Sequence, residues 1–141
     1  MFRSILLPTD GSQYSLEAGK YAIDIARHYG SRLLIVYVVP VSVAYVLSLR
    51  GKLEQTQELF KEGERSVEAI KKMCDESKVL SETRVVEGDP ALEILRIAEA
   101  EAIDLLVVGA RRKGRAAAFT VGSVSDVILA EAPCPVMVVG G

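Results

Sequence analysis

One histidine and two cysteines are the whole supply of imidazole and thiol side chains in this chain of 141 residues. A lone His28 cannot form a histidine cluster. Its place between Arg27 and Tyr29, late in an amphipathic run, suits a cation at a helix C-terminus and implies no chemistry. Cys74 and Cys134 make neither a spaced metal pattern nor a disulfide framework. Cys74 falls on a helical apolar stripe and Cys134 between two prolines, so both read as small buried side chains. A nucleophile elbow is missing, as is a complete P-loop, which removes the commonest routes to catalysis. No residue is assigned a catalytic or metal-binding role. The apolar-rich stretch from Pro40 to Leu49 is too short to cross a bilayer as a helix. No basic segment with an apolar core and cleavage site opens the chain. A cytoplasmic protein without membrane contact is expected.

An excess of positive charge is also missing, with 17 Lys and Arg against 19 Asp and Glu. The net charge is −2, against the basic balance of a general nucleic-acid binder, so no nucleic-acid partner is expected. The exception is local. Arg111, Arg112, Lys113 and Arg115 crowd into five positions of an otherwise acidic chain, which points to an anionic partner at that loop.

What is present is a globular balance, 50% hydrophobic and 26% charged, in a length suited to one domain over residues 1–141. Phe2 to Leu7 reads as a strand stopped by Pro8-Thr9-Asp10-Gly11-Ser12. Gly19, Ala22, Ile23 and Ala26 recur at helical spacing until Gly30. Leu33 to Val39 is apolar at every position, as in a strand buried on both faces of a parallel sheet. An irregular segment from Val41 to Arg50 follows. Its Val41, Val43, Tyr45, Val46, Leu47 and Leu49 could fold over a site, pack on a partner or enter the core. Thr56, Phe60, Gly63, Val67, Ile70 and Cys74 then mark one face of a long helix. Thr83 to Val86 is a short strand, punctuated by Gly88-Asp89-Pro90. Ala91, Leu95 and Ala98, flanked by Leu92 and Ile94, carry a third helix. Leu105 to Val108 is a strand, a loop runs from Gly109 to Val121, a helix from Ser123 to about Glu131, and a last strand from Pro135 to Val139. Strands alternating with helices predict an α/β fold with an open, mostly parallel sheet covered on both faces.

Ligands of such sheets bind beyond the carboxyl ends of the strands where strand order reverses. The loops after the first and fourth strands are therefore the candidates. Gly122-Ser123 at a helix start offers amide donors and a partial positive charge to an anion. Ser123 with Asp126 is equally an ordinary helix cap. Asp10 reads either as a turn residue or as an acceptor for ribose hydroxyls.

Pro8-Thr9-Asp10-Gly11-Ser12, Val107-Val108-Gly109, Gly122-Ser123 and Ala132-Pro133-Cys134-Pro135-Val136 together resemble the universal stress protein family, along nearly the whole chain. The resemblance implies a three-layer, five-stranded parallel sheet in the order 3-2-1-4-5 with four helices. It also implies an adenine nucleotide, ATP or AMP, with or without Mg2+. Nucleotide-binding members carry G-x2-G-x9-G-[S/T] after the fourth strand. Gly109, Gly122 and Ser123 fit it, whereas Arg112 stands at the middle glycine and Gly114 follows two positions later. Arg112 could contact phosphate through its fork of donors, with Gly114 supplying flexibility; alternatively it marks loss of the site, leaving an interaction dimer without nucleotide. Carried over by position, Asp10 would meet ribose or adenine beside Pro8 and Thr9. Val38 would offer backbone to the adenine edge. Gly109, Gly122, Ser123 and the Val124 backbone would hold ribose and phosphates. Enzyme activity is expected to be at most slow ATP hydrolysis. The resemblance further implies a stress or signalling homodimer paired through Pro135, Val136, Met137, Val138 and Val139, which would cover an exposed sheet edge.

Overall fold

The computed structural model describes residues 1–40, 45–46, 48–51, 53–110 and 124–140. Its elements run β1 (Ser4–Pro8), α1 (Gln13–Tyr29), β2 (Arg32–Pro40), α2 (Leu53–Glu76), β3 (Ser81–Gly88), α3 (Pro90–Ala100), β4 (Leu105–Ala110), α4 (Val124–Glu131) and β5 (Val136–Gly140). All four strand pairs are parallel, in the order β3-β2-β1-β4-β5. This is the α/β topology that the family resemblance implies.

The central strands are apolar because both their faces are covered. Ile5, Leu6 and Leu7 of β1 are each 0% exposed. Alternation along the strands sends Ile5, Leu7, Leu33, Ile35, Leu105 and Val107 to one face, against Ala18, Ala22, Ile70 and Cys74 of α1 and α2. Leu6, Leu34, Val36, Leu106 and Val108 point the other way, against Ile94 and Ile97 of α3 and Ile128 of α4. The sheet thus separates two cores. Each fully buried Leu or Ile contributes about 1.5–3 kcal/mol relative to exposure.

Local chemistry sets the helix ends. Ser12 caps α1 by accepting from Ser15 N, and Gly30 closes it in the left-handed region at φ 67°. Asp89 caps α3 by accepting from Leu92 N at 3.2 Å, with Pro90 in the first turn.

Some expectations shift. The buried arc of α3 is Ala91, Ile94, Ile97 and Ala98, so Leu95 is only half-buried and Leu92 is exposed. The spacing placed α3 on the sheet but could not weigh its second neighbour, α4, which packs against it in the same core. Strand β3 is longer than the Thr83–Val86 run because pairing with β2 extends from Leu33–Ser81 to Pro40–Gly88. Tyr45, Val46 and Leu49 are exposed rather than core residues, while Val41, Val43 and Leu47 lie outside the described residues. Cys74 is buried and Cys134 half-buried, both as free thiols. Burial pushes both thiols up, which suits packing rather than nucleophilic chemistry.

Candidate functional site

The crevice originates in unequal strand lengths. β1 pairs with β2 as far as Pro8–Val36, and Thr9 N adds one last bond to Val36 O at 2.8 Å. Against β4, β1 pairs only at Ile5–Leu105 and Leu6–Leu106. Strand β2 continues to Pro40 and β4 to Ala110, so both overhang the end of β1. The strand order reverses beside β1, the place where open sheets leave a crevice. A cavity of about 370 Å³ lies there, within the range of small-ligand sites.

The overhang exposes backbone. In a parallel ladder alternate residues aim their N–H and C=O to opposite neighbours. Arg32 N donates to Arg3 O and Val36 O accepts from Thr9 N, while Leu33 N turns to Leu80 O on the other side. By that alternation Val38 aims its amide and carbonyl toward β1, beyond the point where β1 has ended. Val38 lines the cavity, and its side chain packs with the core of α3 and α4.

The polar corner is built by the turn after β1. Gly11 takes φ +82°, which the tight turn requires. Asp10 Oδ1 accepts from Ser12 N at 2.9 Å and from Ser15 Oγ at 3.0 Å. Thr9 Oγ1 donates to Ser15 Oγ at 3.0 Å and accepts from Gly11 N at 3.1 Å. Thr9 and Ser15 are buried, so the hydroxyls form an ordered relay ending on an exposed carboxylate. Partial burial pushes the Asp10 carboxyl up. The hydroxyl and amide of Ser12 and the hydroxyl of Ser15 outweigh this and hold it below the usual aspartate value. Asp10 is therefore an ionised acceptor at neutral pH. It is also the only carboxylate among the described lining residues.

The opposite wall is apolar. Val36, Ile94, Val108 and Ile128 line the cavity and are nearly inaccessible to bulk water. Pro90 and Ser125 complete it from the first turns of α3 and α4. Val124 opens α4, so its amide is among the first-turn donors that a helix leaves unpaired.

Gly109 also lines the cavity, and its want of a side chain has a specific cause. A Cβ there would sit 2.4 Å from Tyr14 O and 2.6 Å from Tyr14 C. These are backbone atoms that cannot swing aside. The glycine lets the first turn of α1 lie directly on the end of β4.

The structure thus brings Pro8, Thr9, Asp10, Val38, Gly109 and Val124 to one cavity. Arg112, Gly114, Gly122 and Ser123, with the rest of the basic cluster, lie outside the described residues. The chain matches the model of the Universal stress protein family over residues 1–140. The chain belongs to the universal stress protein family.

Among its relatives, Universal stress protein MJ0531 of Methanocaldococcus jannaschii is 40% identical over 99% of this chain and 82% of the relative. MJ0577 of the same organism shares the fold at a TM-score of 0.82 and 24% identity, covering 100% of this chain and 97% of that one. A universal stress protein of Arabidopsis thaliana, solved with AMP bound, superposes at a TM-score of 0.70 with 21% identity, over 98% of this chain and 91% of its own. Another, solved in complex with cAMP, superposes at 0.65 with 22% identity, covering 99% and 97% of the two chains.

In this universal stress protein the sequence did not announce Ser15, Tyr37, Pro90, Ile94, Ser125 or Ile128 as cavity residues. Ser15 alone had a local signal, since it stands three positions after the capping Ser12. The others are brought to the rim by the lengths of the strands and the packing of α3 and α4 on the sheet.

Proposed function

We propose that this protein binds an adenine nucleotide, ATP or AMP, in the cavity beyond β1, and serves as a nucleotide-responsive stress or signalling module of the cytoplasm. The observation that carries this reading is the division of one cavity into an apolar slot, an unpaired strand edge and an ionised acceptor. A planar base would lie between Val36, Val38, Ile94 and Ile128, which line the apolar side of the cavity. The Val38 amide and carbonyl would pair with its edge, as backbone pairs with backbone elsewhere in the sheet. Asp10 would accept from the ribose. Phosphates would leave toward Gly109 and the Val124 amide, and on toward Arg112, Gly114, Gly122 and Ser123. An Mg2+ ion would arrive with the phosphates, because one carboxylate is too few ligands to hold it alone. The AMP and cAMP complexes of the relatives support the same ligand class.

Calorimetric titration with AMP and with ATP tests the reading. Saturable binding of either is expected, and a flat trace for both at millimolar concentration would overturn it. Nucleotide released on denaturing freshly purified protein, identified by absorbance and mass, would give independent support.

A second reading concerns β5. It pairs with β4 on one side only, and Val136, Met137 and Val138 are half-buried. We infer a homodimer through Pro135 to Val139, closing an edge that would otherwise invite uncontrolled pairing. It also accommodates the alternative of an interaction dimer without nucleotide. Sedimentation of the wild type and of Met137→Lys separates the cases. A dimer that the lysine dissociates is expected, and a wild-type monomer at high concentration would dismiss the interface.

A further inference from the structure

Tyr37 lines the cavity, yet its side chain leaves β2 on the opposite face of the sheet from Val36 and Val38. It packs among the partly buried residues of the α1–α2 core, as does Val85. The ring is confined by α2. A Cβ on Gly63 would stand 2.7 Å from Tyr37 Cδ1 and 3.2 Å from Cε1, and 3.0 Å from Val85 Cγ1. Glycine at that position lets helix backbone close over the ring, so the phenol has little freedom to swing. A fixed aromatic ring presents its hydroxyl with little entropy left to lose on binding.

The hydroxyl so presented has no hydrogen-bond partner among the described residues. Asp10 is in a matching condition. Its Oδ1 accepts from Ser12 N and Ser15 Oγ and the Ser12 hydroxyl is a further donor to the carboxylate, but an ionised carboxylate has about four acceptor positions and keeps room for one more donor. Burial first, then the carboxylates of Glu62 and Asp10, push the Tyr37 hydroxyl up. The phenol therefore stays protonated and able to donate. A corner of the cavity that holds an anionic acceptor and a phenolic group with no acceptor among the described residues disfavours phosphate. It suits a neutral pair of hydroxyls, each of which can donate to one group and accept from another.

We propose that Tyr37 is a specificity-determining residue of this pocket, donating its hydroxyl to one of the two vicinal ribose hydroxyls while the Asp10 carboxylate accepts from the other. The assignment rests on the nucleotide reading of the cavity and adds the sugar class to it. The site takes ribonucleotides in preference to deoxyribonucleotides because loss of either sugar hydroxyl strands a fixed partner.

The test compares AMP, 2′-deoxy-AMP and 3′-deoxy-AMP by calorimetry on wild type and on Tyr37→Phe. Phenylalanine keeps the ring against Gly63, so the melting temperature without ligand should stay the same. AMP affinity should fall about tenfold in the variant, the usual size of one lost hydrogen bond in a closed site. One of the deoxy analogues, lacking the hydroxyl that Tyr37 serves, should bind wild type and variant equally. Equal AMP affinity for both proteins, or the same loss for all three ligands, would overturn the role of Tyr37 while leaving nucleotide binding standing. No binding of AMP or ATP to wild type would instead remove the nucleotide reading, and this assignment with it.

Discussion

The two walls of the cavity are made in different ways. The polar wall, from Thr9 to Ser15, is local: its longest side-chain hydrogen bond spans six positions, from Thr9 to Ser15. The apolar wall gathers Val36 from β2, Ile94 from α3, Val108 from β4 and Ile128 from α4. The first is a turn whose bonds would mostly survive as a unit. The second is also the core beneath α3 and α4. Damage to the apolar wall should therefore destabilise the whole protein, whereas damage to the polar wall should mainly silence the site.

The largest expected effect tests the apolar side. Ile128→Ala empties a position that is 1% exposed and should cost about 3 kcal/mol of stability, read from thermal or urea unfolding. A loss below about 1 kcal/mol would mean the wall collapses readily and is no true part of the core. Next is the seam between the walls. Gly109→Ala drives a methyl to within 2.4 Å of Tyr14 O, and should cost about 2 kcal/mol because strand or helix must shift. An unchanged melting temperature would show that α1 does not bear on β4 there.

On the polar side, Asp10→Asn keeps the shape and removes the charge. It should weaken AMP about tenfold, the low end for a hydrogen bond to a charged group, with a much smaller change in melting temperature. Destabilisation equal to that of Ile128→Ala would erase the contrast. Ser12→Ala removes the cap of α1 and one donor to Asp10, and should cost about 1 kcal/mol. The smallest effect is on pH. Asp10 titrates below its ordinary 3.8 in the folded protein, so the stability it contributes is present above that value and is lost as pH falls through the lower one. Melting curves between pH 5 and pH 3 should show wild type losing ground on Asp10→Asn only at the acid end (below about pH 4).

The same contrast explains how much was legible in the sequence. Order and type of the nine elements could be read because each is encoded locally. Leu33 to Val39 is apolar at every position, and Pro8 to Ser12 are turn and cap residues in a row. The polar wall was visible for the same reason, as Asp10 beside Thr9 and Ser12. The apolar wall was not. Periodicity marked Ile94 as flanking a buried stripe, but nothing local says that it stands under a cavity. Tyr37 was hidden within an apolar strand run, and its confinement by Gly63 joins residues on different elements.

The sequence by itself determined where strands and helices lie, which faces are apolar and where an acidic turn follows β1, because turn chemistry and side-chain period act over a few residues. Only the tertiary structure decided that β1 stops short of β2 and β4, that the backbone of Val38 is left without a strand partner on its β1 side and that Gly109 rests on Tyr14. Those outcomes depend on the register between strands and on how closely helices approach them. Packing of the whole chain sets both, and no short stretch of it can.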